Sequence, residues 1–209
     1  MSSVINRFTA TPTQLPIMEI ARYMGMRGEV LGDDVVSRIH SLLHKFLQKI
    51  NCRACWMEVS LEISEHVVHM EHLTAESRNL AENLAHCEKA IIFAATIGVE
   101  ADRFARAASY HAPMNALIFD AMGSTAIEWF CDRLCDKIAD QYPCYTLRPR
   151  FSPGYGDLSL SVQRDLLSVL DARRNIGLTL SDSLMMIPQK SVTAIVGLKP
   201  IHKDKEVET

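Results

Sequence analysis

The alternation of apolar and polar positions divides the chain into helix-period and strand-period segments. Residues 1–15 carry Thr, Pro and Gln without a sustained period and read as irregular or short extended chain. Pro16 opens a helix in which Ile17, Ile20, Ala21 and Met24 recur at helical spacing before Gly25 and Gly28 end it. Asp33 and Asp34 start a second helix, with Val35, Ile39, Leu42, Leu43, Phe46, Leu47 and Ile50 along one side. In residues 56–64, Met57, Val59, Leu61 and Ile63 alternate with polar residues, as in a half-buried strand. A His-rich connection of unassigned conformation leads to a helix over 77–87. Residues 90–98 are almost wholly apolar and read as an interior strand, and 99–111 as a helix. Pro113 begins the longest helix, reaching about residue 140, with a buried stripe of Met114, Leu117, Ile118, Ala121, Met122, Thr125 and Trp129.

Glu128 projects close to Leu117 and Ala121 on that helix, which sets a carboxylate within or beside the apolar face. Such a group either meets a buried partner or sits at the edge of the stripe and reaches water. Residues 144–147 read as a strand, and 158–173 as a helix with Asp157 or Ser159 as its N-cap and Gly177 as its stop. Beyond it, 184–187 and 191–196 flank Pro188-Gln189-Lys190 as an apparent hairpin. Helices and strands interleave without a regular βαβ beat, which predicts an α+β fold with a mixed or antiparallel sheet and packed helices. Residues 1–50 form an N-terminal helical segment, a candidate subdomain; 51–200 form the α+β domain; 201–209 form a charged, frayed tail.

The chain has 209 residues, 48% of them hydrophobic, with a formal net charge of -3, which describes a globular protein with a sizeable core. No apolar run approaches the roughly 20 residues of a membrane span, and the first residues lack a signal-peptide core. The expectation is a cytoplasmic protein without a membrane partner. The near-even charge balance gives no footprint for nucleic acid. Cys52 and Cys55 have CxxC spacing, which suits part of a zinc site, a redox pair, or merely two thiols before a strand. His66, His69 and His72 on a helix would drift by about 60° per step, so at most two could share an ion. Even with Glu65 and Glu71 nearby, a solvated face is the plainer reading, and no metal site is assigned. Gly-rich phosphate loops and a GxSxG elbow are absent.

Residues 148–157, Arg-Pro-Arg-Phe-Ser-Pro-Gly-Tyr-Gly-Asp, break every period. Pro149 and Pro153 remove backbone donors, and Pro153-Gly154 fits the centre of a type II turn. With Arg150 before the turn and Tyr155 after it, the loop offers a cation, an aromatic face and free peptide groups, suited to a small ligand bearing a carboxylate and a ring. A surface connection is the alternative, and composition leaves both open. Glu128 is a plausible counter-charge for the amino end of an amino-acid ligand.

Arg150-Phe151-Ser152-Pro153-Gly154-Tyr155 resembles the RxxxGY signature of the activation (reactivation) domain of cobalamin-dependent methionine synthase. The resemblance continues on both sides. Residues 126–130, Ala-Ile-Glu-Trp-Phe, are similar to the family's helix with a ligand-contacting Glu. Residues 176–183 are similar to its IGMKLTES segment, and 185–192 to its MWPGASV hairpin. These matches keep their order over about 96–198. The resemblance implies a loop that binds S-adenosylmethionine, with Arg150 on its carboxylate, Glu128 near its amino group or sugar, and Ser152, Gly154 and Tyr155 lining the loop. It implies no catalytic side chain, because the methyl donor is already activated and the nucleophile is the reduced cobalt of cobalamin.

In the full enzyme this domain is one module of a long chain, so the sequence looks like a stand-alone version. Its implied partners are a cobalamin-binding protein, or a methionine synthase lacking this domain, together with an external electron donor. The family also uses an acidic residue in its N-terminal region, for which residues 1–49 offer no match. A docking or regulatory partner of a corrinoid protein, with weak or lost ligand binding, is the second reading. Metal or redox chemistry at Cys52 and Cys55 is the third.

Overall fold

The structure is a computed structural model that describes residues 4–26 and 31–201. In chain order the elements are β1 (Asn6–Thr9), α1 (Ile17–Tyr23), α2 (Asp33–Leu47), β2 (Arg53–Ser64), β3 (Val67–Met70), β4 (Leu73–Glu76), α3 (Arg78–Asn83) and β5 (Lys89–Thr96). They continue as α4 (Val99–Ser109), α5 (Pro113–Gln141), β6 (Tyr145–Leu147), α6 (Val162–Val169), α7 (Ala172–Ile176), β7 (Thr179–Leu180), β8 (Met186–Ile187) and β9 (Ser191–Pro200). Gly28, expected to end the first helix, and the tail beyond residue 201 lie outside the described residues.

The main sheet runs β4-β3-β2-β5-β9-β6, with β1 on β2, and every pairing among the described residues is antiparallel. Of the two expected arrangements, mixed or antiparallel, the second holds. Because side chains alternate across a strand, the central strands feed two cores. Ala54, Trp56, Ile91, Phe93, Ala194 and Val196 join α1, α2 and α5 on one face. Cys55, Met57, Ile92, Ala94 and Ile195 meet residues of α3, α6 and α7 on the other. The sheet is thus covered on both sides, which is why β5 shows no polar alternation. The helices of residues 1–50 share the first of these cores.

Several expectations are corrected. The strand expected at 56–64 begins at Arg53, because β1 and β5 both pair with its first residues. This places Cys55 inside the sheet on one face while Cys52 packs into the core of the other. Burial pushes both thiols up to about 12, and the two lie in different cores. The His-rich connection is the hairpin β3–β4. His69 is exposed opposite Glu62, whereas His66 and His72 lie in turns. Among the described residues no three potential ligands cluster around a metal position.

The helix expected over 158–173 is two helices, since Asp171 takes a left-handed backbone (φ 41) that no helix interior accommodates. Asp157 does not cap it; its carboxylate serves α3 instead. The expected hairpin between 184–187 and 191–196 does not form. β5 pairs with β9 along 191–198 and Phe151 bridges its other edge at Ile195, while β8 pairs with β7. In α5, Ile118, Ala121, Met122 and Thr125 are buried as expected, but Met114 and Leu117 are 45% and 42% exposed. Met114 borders an open groove with Asp34, Val35 and Arg38 of α2.

Two outcomes follow from this packing. A thiol reagent should label exposed Cys144 in the native protein and reach Cys52, Cys55 and Cys131 only after denaturation; rapid native labelling of Cys52 and Cys55 would restore the redox reading. Gly197 of β9 has room for no side chain, because a Cβ there would lie 2.8 Å from Leu84 Cδ2 and 3.1 Å from Arg148 Cγ. Gly197→Ala should therefore cost about 1–3 kcal/mol, read as a lower thermal midpoint.

Candidate functional site

The loop that follows β6 is tied to the sheet before it turns. The Arg148 amide donates to Gly197 O at 2.8 Å, and Phe151 exchanges two backbone hydrogen bonds with Ile195, at 2.9 and 2.8 Å. This continues β6 along the edge of β9. Alternation then separates the neighbours: Phe151 packs toward the core of α3, α6 and α7, while Arg150 faces α5. The turn expected from Pro153-Gly154 is present, with Tyr155 N donating to Ser152 O at 3.2 Å and Gly154 at φ 89. A second bond, Gly154 N to Leu158 O at 2.9 Å, closes the loop on itself.

A cleft of about 710 Å³ opens over this loop. Arg150, Ser152, Tyr155 and Glu128 all line it, so four of the five sequence-predicted residues are brought together; Gly154 shapes the turn without lining the cleft. Tyr155 is 69% exposed, leaving its ring available at the rim. Phe151, Pro153, Leu160, Met186 and Val192 give apolar wall, and Asn83, Gln163, Ser191 and Thr193 give polar wall. Gln163 is held by donation to Leu184 O at 2.9 Å. Such a cavity suits an amphiphilic ligand with a ring and several hydrogen-bonding groups.

Arg150 is the electrostatic centre. Its Nη2 lies 2.8 Å from Glu128 Oε2 and 3.2 Å from Asp132 Oδ1, one turn apart on α5. Its Nη1 is buried with no hydrogen-bond partner among the described residues. Burial pulls the guanidinium down, but Cys131, Glu128, Asp132 and Cys135 outweigh it and its proton affinity ends above the ordinary value. Burial also raises the Cys131 thiol. Glu128 therefore has a partner and also sits at the edge of the apolar stripe, 45% exposed.

Glu128 borders a second groove, of about 280 Å³, with Glu19, Arg22 and Tyr23 of α1 and with Trp129 and Asp132. Glu19 and Arg22 form their own ion pair at 2.7 Å. Sequence reasoning missed Asp132, although its i,i+4 spacing from Glu128 on a predicted helix would have found it. Asn83 and Gln163 carried no local signal, since they reach the cleft only through the fold.

No family model and no curated protein matches the chain. Among solved structures, the chain is similar to one described as the MetH reactivation domain bound to AdoHcy, with a TM-score of 0.70 and 15% sequence identity over 96% of this chain and 80% of that one. At that identity the likeness is one of fold, and the chain has the fold of the MetH reactivation domain.

Proposed function

We propose that this chain binds S-adenosylmethionine, or its demethylated product S-adenosylhomocysteine, in the cleft of the Arg150 loop. We read it as a stand-alone reactivation module that supports reductive methylation of the cobalamin of a separate methionine synthase or related corrinoid methyltransferase. The observation that carries the reading is Arg150, a guanidinium with a buried and unpartnered Nη1 in the wall of a cleft sized for a nucleoside ligand. The AdoHcy in the solved structural neighbour supports the choice of ligand.

On this reading Arg150 takes the ligand carboxylate, and Glu128, released from part of its ion pair, faces the ammonium. Tyr155 and the apolar wall cover the adenosyl group, and Ser152 and the polar wall supply hydrogen bonds. Glu19 is the acidic side chain that α1 brings to the Glu128 neighbourhood, a structural candidate for the N-terminal contact that the resemblance left unmatched. Cobalamin, carried by the partner, supplies the nucleophilic metal, with an electron from an external donor. The residues of this chain bind and orient the donor so that its methyl faces the partner, and a sulfonium methyl needs no base from them.

The Arg150 bridges favour a second reading, a docking or regulatory partner whose ligand affinity is weak, because a ligand carboxylate must compete with Glu128 and Asp132. Both carboxylates are substantially exposed, and exposed pairs are worth about 0–1 kcal/mol each, so losing both bridges costs at most about 30-fold in affinity. The bridges alone do not abolish binding.

Calorimetry with S-adenosylhomocysteine decides between the readings. Wild type should bind, and Arg150→Ala should weaken binding by about 10- to 100-fold, the loss of one charged hydrogen-bonding group. Absence of heat with wild type at high ligand concentration, or equal binding by Arg150→Ala, removes the ligand reading.

A further inference from the structure

The ligand loop is held from a distance by a short helix that itself contributes little to the cleft. At the start of α3, the Asp157 carboxylate accepts from the Arg78 amide at 2.9 Å and the Asn79 amide at 3.2 Å, and from the Ser77 hydroxyl. At the end of α3, Arg148 Nε donates to Asn83 O at 2.8 Å, and Asn83 Nδ2 to Pro149 O at 3.4 Å. The two ends of the loop thus attach to the two ends of one helix. Their charges match it: a carboxylate meets the free amides and a guanidinium meets a terminal carbonyl.

Lengths show what this does. Six helical residues rise about 9 Å, whereas the ten-residue segment 148–157 could extend to about 30 Å. Holding its ends on α3 therefore imposes a compact arch, with the turn at Pro153-Gly154 as its crown. Gly156 lies so close against Asn79 that a side chain there would collide with it. The hydroxyl of Ser77, then the two amides, hold the Asp157 carboxyl below its usual range, so it is ionised at neutral pH.

We propose that α3 is a clamp that sets the conformation of loop 148–157, and that Asp157 and Arg148 are positioning residues for the ligand bound by Arg150. The inference rests on the ligand reading above, but the clamp can be tested apart from it. The two variants Asp157→Ala and Asp157→Asn are compared in the full chain, by calorimetry with S-adenosylhomocysteine and by hydrogen exchange of the free protein. The Tyr155 amide, bonded to Ser152 O, and the Gly154 amide, bonded to Leu158 O just beyond the loop, report the arch; amides of β5 and β9 report the whole fold.

Asp157→Ala should weaken binding by about tenfold through lost preorganisation. It should also speed exchange at Gly154 and Tyr155 while β5 and β9 exchange as in wild type. Asp157→Asn keeps an acceptor for the α3 amides and should recover most of the affinity. Unchanged loop exchange, unchanged affinity, or a rise in exchange that extends equally to β5 and β9 would each overturn the proposal. If Asp157→Ala does not fold, Arg148→Met, which releases the other end of the arch, is read by the same criteria. If wild type binds no S-adenosylhomocysteine, the ligand reading fails, and the loop exchange of the variants still decides whether α3 is a clamp.

Discussion

Strand β9 is held at both edges, and the position of the Arg150 loop follows from that. β5 pairs with it along 191–198, while β6 and then Phe151 occupy the opposite edge. Both faces are buried as well, Ala194, Val196 and Leu198 on one side and Ile195 on the other. A slip of one residue would exchange these sets between two differently shaped cores, so the register is strongly specified. That register fixes where Phe151 meets Ile195. It thereby decides that Arg150, the preceding residue, rises on the side of α5 beside Glu128 and Asp132.

The charge at this point is stable because it is compensated without being saturated. An isolated buried guanidinium would be costly, and the carboxylates of Glu128 and Asp132 offset that cost from one end of the group. The other end, Nη1, has no hydrogen-bond partner among the described residues. A ligand carboxylate on the proposed reading would engage both ends of a planar fork, geometry that a point charge such as Lys could not reproduce. On that reading the ion pairs and the ligand would be successive partners of one group, and their competition would tune affinity.

Periodic signals in the sequence located most of the architecture. The long α5, the interior β5, the amphipathic α2 and the Pro153-Gly154 turn were legible because each depends on local spacing or on the backbone limits of Pro and Gly. Pairing was not. Residues 184–187 and 191–196 have the composition of a hairpin, yet β9 had stronger partners far away in sequence, which no local window reveals. Asp157 illustrates the same limit at a single residue. It precedes a helix and looks like its cap, but the amides it serves belong to α3, close to 80 residues earlier. In the site, Arg150 and Glu128 were found from loop chemistry and family resemblance, whereas Asn83 and Gln163 enter only through tertiary packing.

The cleft forms where the two helical layers come together at one sheet edge. α5, from one face, contributes Glu128, whereas Asn83 of α3 and Gln163 of α6 come from the other. Loop 148–157 passes between these layers, bound to β9 by Phe151 and to α3 by Asp157. A displacement of α5 moves the carboxylates relative to Arg150, and a displacement of α3 moves the arch that carries it.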